Sequence, residues 1–494
     1  MLRRRRLTCL TRRDKKTPVA KERNKMHQGN GIGKTIIKTV LGLVGVSFFV
    51  GFRSTRSFAN TSSANNNHFR TEEEWLAFVQ DYQRRFHRPP PPGMKEWHRF
   101  ATQHQCETQN YYETLEADMQ YFRPPNNSLK WDRVLPEATQ LSEHYMAFSL
   151  ENHNLTVVGY QAKKSYDPHE RRHRRAIERL LRFLLEPVIR HDGPPLNSTF
   201  VFNLHDTAQP IPQHYLTRNT STGQFPQMYP IFSVCKMDYY TDGQPPPSPF
   251  GTTTNVNTNT TSPPARQEQE QQQPTTIQNR DLMVPWHFSL RRQSRWFWFW
   301  PWFKKGRPFH RRRNAITWRG STTGVWETGP RFQLVREYAN QTNTSSQTGV
   351  EVDFAFFRVV QKPDHVPEWK DQHQYRFAPH MRYWQMQQFK YIMDVDGNGF
   401  TSRFPGLLRS GSVVFKSTRY REWFHGILQP YRDYIPVNYN LSDLPQKLAW
   451  AQGNTQAMEQ MAVDSKQQVE RFLRPVDMQC YMYRLLLEYQ TLFE

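Results

Sequence analysis

The sequence predicts an α/β protein built as two lobes, and three observations carry that reading. Between about residue 130 and residue 235 helical and strand patterns alternate: the amphipathic run Arg171–Arg190 is followed by the β-rich apolar run Ser198-Thr199-Phe200-Val201-Phe202-Asn203-Leu204, which ends on His205-Asp206. From Ala315 the same grammar returns, with the apolar stretches of ITWRGSTTG, VDFAFFRVV and KYIMDV each running into polar or glycine-rich sequence. Between the two halves lies Gly243–Gln278, a low-complexity stretch of Pro, Thr, Asn and Gln that cannot bury enough apolar area to offset chain entropy. Ligand sites of open α/β sheets lie at the carboxyl ends of their strands, so the polar residues placed there are the first candidates for function.

The elements follow in chain order. Residues 1–34 form a basic tail: Arg3, Arg4, Arg5, Arg6, Arg12, Arg13, Lys15, Lys16, Lys21, Arg23 and Lys25 face only Asp14 and Glu22 over the first 25 positions. The net charge of +22 raises a nucleic-acid partner as the first question. Much of the excess sits in this tail, and the body predicts no nucleic-acid binding. The apolar run 35–52 is short for a bilayer span, which takes about 20 residues. With Lys38 reaching toward the headgroups and the basic arm held in the cytosol, it reads as a transmembrane signal anchor. A cleaved signal or a mitochondrial presequence is the plainer alternative. The anchor reading predicts a single-pass type II protein of the endoplasmic reticulum or Golgi membrane with a lumenal body.

Residues 53–70 are polar and aperiodic and read as a stem. TEEEWLAFVQDYQRRF opens with Thr71 and Glu74 in capping-box spacing and predicts a helix, which HRPPPPG ends before a second helix starts at MKEWHRFATQHQ. Residues 71–240 make the first lobe, 243–278 the disordered insertion and 279–494 the second lobe, which closes with a helix from Met458 to about Arg474 and a final helix MQCYMYRLLLEYQTLF. The basic and aromatic run Arg291–Arg313 reads as an aromatic core with a basic rim on the insertion. Asn-x-Ser/Thr triplets stand at Asn60, Asn126, Asn154, Asn197, Asn219, Asn259, Asn340, Asn343 and Asn440, in keeping with lumenal exposure. Beyond the apolar run there are three cysteines, Cys106, Cys235 and Cys480. At most one disulfide forms among them, leaving one thiol, and no metal-ligand cysteine spacing exists.

Chemistry concentrates in Lys390–Phe424. This segment holds an acidic pair, a glycine-rich turn and an arginine, a combination suited to a phosphate-bearing ligand. Asp394, Asp396, Asn398 and Gly399 occupy the first ligand positions of a calcium loop. Position 12, where a bidentate Glu belongs, is Pro405, which excludes that reading. Asp394 and Asp396 as a clamp for a divalent cation, manganese or magnesium, remain a second reading, and a phosphate-side turn led by Ser402 and Arg403 is the third. Trp318–Gly324 (WRGSTTG) runs a strand into arginine, glycine and hydroxyls, as a loop that cradles an anion does. Asp206, at the end of its strand, is either a turn residue or a general base facing a cleft.

Taken together, WRGSTTG, YIMDVDGNGFTSRFPGLLRSGSVVFKST (Tyr391–Thr418) and REWFHGILQPYRDYIPVNYNLSDL (Arg421–Leu444) resemble glycosyltransferase family 90. That family holds the fungal capsule-associated xylosyltransferase-like proteins and the animal protein O-glucosyltransferases. RPPPPGMKEWHRFA (Arg88–Ala101) is similar to the fungal branch. The resemblance implies two Rossmann-like lobes in the GT-B arrangement, a UDP-sugar bound mainly by the second lobe, and transfer with inversion to a hydroxyl of a glycan or protein acceptor. It implies that Asp206 is the catalytic base, that Arg319 and Arg403 hold the diphosphate, and that Gly320, Ser321, Thr401 and Ser402 line the donor pocket. Lys416, Glu422 and Trp423 fall in the strand and turn beyond. No cofactor is implied, and UDP-xylose is favoured over UDP-glucose. The animal glucosyltransferases carry arginine at the position of His205 and near that of Asp396, so the acceptor subsite is expected to differ. A non-catalytic lumenal carbohydrate-binding relative of the same fold is the runner-up.

Overall fold

The structure is a computed structural model. It describes residues 63–107, 110–120, 122–123, 145–160, 168–190, 196–203, 230–233, 235–237, 282–285, 307–325, 328–338, 348–361 and 375–493. The basic tail, the apolar run 35–52, the low-complexity insertion, the basic and aromatic run up to residue 306, and Asp206 with its neighbours lie outside the described residues. The chain divides into two units, Met1–Phe69 and Arg70–Glu494, and every described strand belongs to the second.

The elements, in chain order, begin with the helices α1 (Ser63–Phe86), α2 (Met94–Gln103) and α3 (Asn110–Gln120). The strands β1 (Tyr145–Glu151) and β2 (Asn154–Tyr160) come next, then α4 (Pro168–Leu184), the short α5 (Glu186–Ile189), β3 (Ser198–Asn203), β4 (Ile231–Ser233), β5 (Lys236–Met237) and β6 (Leu282–Met283). The later part holds β7 (Arg313–Ser321), α6 (Pro330–Gln333), β8 (Glu351–Arg358), α7 (Tyr383–Met386), β9 (Phe389–Val395), α8 (Phe404–Leu408), β10 (Val413–Ser417), β11 (Tyr420–Arg421), β12 (Ile435–Pro436), α9 (Leu444–Gly453), α10 (Thr455–Phe472) and α11 (Pro475–Gln490). α1 starts inside the stretch read as a stem, so Thr71 and Glu74 stand within a helix rather than at its start.

Two five-stranded sheets organise the described residues. The first has the order β2-β1-β3-β4-β6. Its β1–β2 and β1–β3 pairs are antiparallel, while β3–β4 and β4–β6 are parallel. The second has the order β12-β10-β9-β7-β8 and is parallel throughout. The fold-class expectation is therefore corrected in two respects. The first sheet is mixed rather than Rossmann-like throughout, because the two-residue turn Asn152-His153, both at positive φ, folds β1 and β2 into a hairpin. The transmembrane anchor is not found: no helix among the described residues is long and apolar enough to cross a membrane, the longest, α1, is studded with charged residues, and the run 35–52 lies outside the described residues.

Burial follows the strand period. In β9, Tyr391, Met393 and Val395 join Phe415, Leu448 and Met461 in one core, while Ile392 faces the other way and packs with Val414, Phe404 and Leu428 in the core that continues into the first sheet. Asp394 and Lys416 follow Ile392 and Val414 at this same period, so two charged side chains are placed on a face that is otherwise apolar.

α11 packs against α2, α3, α4 and α5, so the C-terminus closes the core of the N-terminal half. Its Arg484 guanidinium sits 4.5 Å from the Tyr112 ring centroid, 4.8 Å from Trp97 and 5.1 Å from Tyr82, and its Nε donates to Glu488 at 2.6 Å. Arg88 and the Tyr82 hydroxyl also donate to Glu488; burial pushes that carboxyl up, but Arg484 and Arg88 hold it below its usual range. Cys106 is bonded to Cys480, and Cys235 is a buried thiol outside that disulfide, in line with the count of one disulfide and one thiol. The bridge spans a sequence separation of 374 residues. Its removal in Cys106→Ala is expected to cost about 2–5 kcal/mol, read as a fall in midpoint on urea unfolding that reductant reproduces in the parent protein.

Candidate active site

The chain order of the parallel sheet fixes where a ligand goes. Of its strands β7 comes first in the chain, β8 lies to one side of it, and β9, β10 and β12 lie on the other. The winding thus reverses between β7 and β9. In sheets of this kind the crevice outside the carboxyl ends of those two strands is the binding place, because the connections leave it in opposite directions. The carboxyl ends here are Arg319-Gly320-Ser321 and Asp394-Val395-Asp396, so topology brings the two motifs singled out in the sequence to one place.

The turns beyond these ends touch. Gly324 has φ +106° and lies so close to Gly397 that a Cβ on it would meet the Gly397 carbonyl oxygen at 3.0 Å, and its N–H donates to Asn398 Oδ1 at 2.7 Å. Between them runs Arg331 from α6. It donates to the Asp396 carbonyl at 2.9 Å, to the Ser321 carbonyl at 3.2 Å and to Thr323 Oγ1. Burial and the neighbouring Arg403 push its guanidinium down to about 10. Sequence reasoning missed this clamp. Its one signal was an arginine set among apolar neighbours in Pro330-Arg331-Phe332-Gln333-Leu334.

Asp394 is the hub. Its side chain is fully buried, and Thr401 Oγ1 donates to Oδ1 at 2.7 Å, Lys416 Nζ to Oδ2 at 3.4 Å, with Arg403 Nη2 3.5 Å from Oδ1. Lys416, itself buried, also rests over the Phe404 ring at 4.1 Å. Arg403 Nη1 donates to the Arg319 carbonyl at 2.7 Å, which ties the end of β7 to the start of α8. Asp396 has a separate donor set, Thr418 Oγ1 and the Arg419 N–H, both at 2.8 Å. Asp394 and Asp396, the pair of the divalent-cation reading, thus have separate hydrogen-bond donors. Among the described residues no group of three His, Cys, Asp or Glu side chains is placed to hold a metal ion. Burial pushes the Asp396 carboxyl up to about 7, against the pull of Lys416. It pushes Glu422 up to about 8, and Glu422 Oε1 has no hydrogen-bond partner among the described residues. That oxygen is an acceptor held out of water without a donor, which a ligand hydroxyl would satisfy.

Arg319 turns away from the crevice to β8, where it binds both carboxylate oxygens of Asp353 at 2.8 and 2.9 Å, and Arg376 shares Oδ1 at 2.8 Å. A Cβ on Gly320 would lie 2.2 Å from the Trp318 indole, so the glycine there makes room for a core side chain. Ser321 and Ser402 are half-buried at the crevice, and Trp423 packs in the core against Tyr481. α8 has five residues, too short for a strong helix dipole, so positive charge at the crevice comes from Arg403, Lys416 and Arg331. Three buried or half-buried cations around one carboxylate hub suit a ligand with more than one negative charge.

Comparison with known proteins gives the family. Residues 194–494 match the family model of glycosyl transferase family 90. Protein O-glucosyltransferase 3 of Rattus norvegicus is 34% identical over 110 residues, 22% of this chain and 22% of that protein. Protein O-glucosyltransferase 2 of Danio rerio is 29% identical over 189 residues, 38% of this chain and 34% of that protein. Protein O-glucosyltransferase 1 of Homo sapiens is 31% identical over 103 residues, 21% of this chain and 26% of that protein. The aligned part of the chain thus covers between about a fifth and a third of the length of these relatives. A solved structure, that of the GtfA/B complex, aligns at TM-score 0.26 and 13% identity over 37% of this chain and 38% of that one, too slight a likeness to argue from. The family match takes in more than half of the chain and contains the whole parallel sheet with its crevice, and the chain belongs to glycosyltransferase family 90.

Proposed function

We propose that the protein transfers a sugar, xylose or glucose, from a UDP-sugar to a hydroxyl of a glycan or protein acceptor in the secretory pathway, with inversion at the anomeric carbon. The observation that carries the reading is the set of cations at the switch-point crevice: Arg403 and Lys416 on Asp394, with Arg331 across the two turns. In the reaction the acceptor oxygen bonds to the anomeric carbon as the bond from that carbon to the diphosphate oxygen breaks. The acceptor proton passes to a carboxylate, for which Asp206 is proposed, because a sugar or serine hydroxyl is too weak an acid to attack unaided. The leaving diphosphate gains negative charge, which Arg403 and Arg331 stabilise without a metal. The reacting carbon passes through an oxocarbenium-like state, which water would quench, so the crevice must close on the donor. Glu422 Oε1 accepts from a donor hydroxyl.

The test is release of UDP from a panel of UDP-sugars by the purified full chain, with and without EDTA, each with and without acceptor. The proposal expects one donor to be turned over and the EDTA arm to match its control. Binding of UDP-sugars without release or transfer would favour the carbohydrate-binding relative.

The two raised carboxyls make binding depend on pH. With Asp396 and Glu422 neutral, the crevice holds an excess of positive charge, and as they ionise this excess disappears. Both groups are raised, so the protons stay on in the folded protein up to about 7 and about 8 and leave above that. An incoming diphosphate favours the protonated forms. UDP affinity is therefore expected to weaken by about tenfold between pH 6 and pH 9, with proton uptake on binding seen as a buffer-dependent enthalpy in calorimetry. Stability takes the same sign: an unfolded carboxyl ionises near pH 4 while the folded one stays neutral, so folding weakens as pH rises from there to about 8.

A further inference from the structure

Away from the crevice, at the far end of the first sheet, lies a hollow of about 300 Å³ lined by Ser149, Glu151, Asn152, Asn197, Ser198 and Thr199. The sheet register builds it. Ser149 pairs with Thr199 and Leu150 with Ser198 across β1 and β3, and the β1–β2 turn brings Asn152 to the rim. Ser149 Oγ donates to Glu151 at 2.7 Å and Thr199 Oγ1 to Ser149 Oγ at 3.4 Å. Ser198 pairs with the core residue Leu150 and turns its side chain to the other face, so Ser149, Glu151 and Thr199 supply the side-chain oxygens of the hollow. The described lining carries hydroxyls, amides and one carboxylate and no cation. That chemistry suits a neutral polyol and disfavours an anion.

Asn197 begins the triplet Asn197-Ser198-Thr199 and is exposed. Its Oδ1 accepts from the Asn152 N–H at 3.2 Å and its carbonyl from Gln490 Nε2 at 2.9 Å, so the residue is held while Nδ2 keeps its hydrogens for substitution. Asn154 and Asn440, the other acceptor triplets among the described residues, are also exposed, but neither lines this hollow. We propose that Asn197 is N-glycosylated and that the hollow seats the first sugar of that glycan. In the modification a glycosyl group leaves an oligosaccharyl lipid pyrophosphate supplied by the cell. A bond forms from its anomeric carbon to Asn197 Nδ2, which gives up one proton, and the lipid pyrophosphate departs. The seated sugar donates hydroxyls to Glu151 and to Thr199 Oγ1, which share one face of the sheet.

The full chain is produced in a eukaryotic secretory host. Peptide mass spectrometry reads occupancy at Asn197, with Asn197→Gln as the reference, and glycan release by an amidase is timed on native and on denatured protein. The expected result is an occupied Asn197 whose glycan is released about fivefold to tenfold more slowly than that of Asn154 in the native protein and at the same rate once denatured. Glu151→Ala, which keeps the triplet, is expected to remain occupied and to lose most of that protection. A bare Asn197 overturns the modification. Native release as fast as at Asn154, or protection unchanged in Glu151→Ala, overturns the seat.

Discussion

Asp206→Asn is expected to lower the turnover of sugar transfer by about 10²–10⁴-fold while UDP binding stays within about twofold. Asp206 comes three positions after the last residue of β3, Asn203. Asparagine keeps the volume and most hydrogen-bonding capacity but cannot take a proton. A loss confined to turnover therefore separates the proton acceptor from a residue that only shapes the pocket. Initial rates under saturating donor, together with calorimetric titration of UDP, provide both readings. Equal turnover in the variant would assign the proton to another group.

Arg331→Ala has the second large effect, on fold and binding together. The guanidinium holds the Asp396 and Ser321 carbonyls and Thr323 Oγ1, stacks 5.9 Å from the Trp318 ring centroid, and fills the space beside Gly397. Truncation leaves the buried Asp396 carbonyl without this donor, at a cost of about 1–3 kcal/mol, and removes a second donor from the Ser321 carbonyl, which keeps the Thr323 N–H. The two turns of the crevice then lose their tie. The variant is expected to unfold at clearly lower urea and to bind UDP at least about tenfold more weakly. Arg331→Lys should recover little, since an ammonium on a single stem cannot span three acceptors in fixed directions. Full recovery by lysine would show that charge alone suffices and that the clamp is not the cause.

Much of the fold could be read from local pattern. The apolar run read from Ser198 to Leu204 is β3, the helix read from Met458 to Arg474 is α10, and the glycine-rich sequence after Val395 is the turn at the switch point. Period and turn chemistry are local properties, and these elements obey them. What stayed hidden depends on pairing across hundreds of residues. Nothing near Cys480 says that its helix returns to Trp97 and Tyr82. Nothing near Tyr420 says that it pairs with Met237, and Leu282–Met283 gives no sign of completing the first sheet. The site divides the same way. WRGS and TSRF were placed correctly beside each other, but Arg319 reads as a free cation until Asp353 arrives from the neighbouring strand, and Arg331 reads as an ordinary helix residue until two turns close on it. The acidic pair looked like a unit because its members are two apart. In a strand end that spacing need not join them, and each carboxylate here finds its own donors.

The central claim is that the cations at the carboxyl ends of β7 and β9 hold a nucleoside diphosphate. Its most direct test is calorimetric titration of UDP into the parent protein and into Arg403→Ala at one pH and salt. A charge-assisted hydrogen bond contributes about 1.5–3 kcal/mol, so the account predicts binding about tenfold to a hundredfold weaker in the variant, measured where both proteins are folded. Equal affinity for UDP in the two proteins would contradict it.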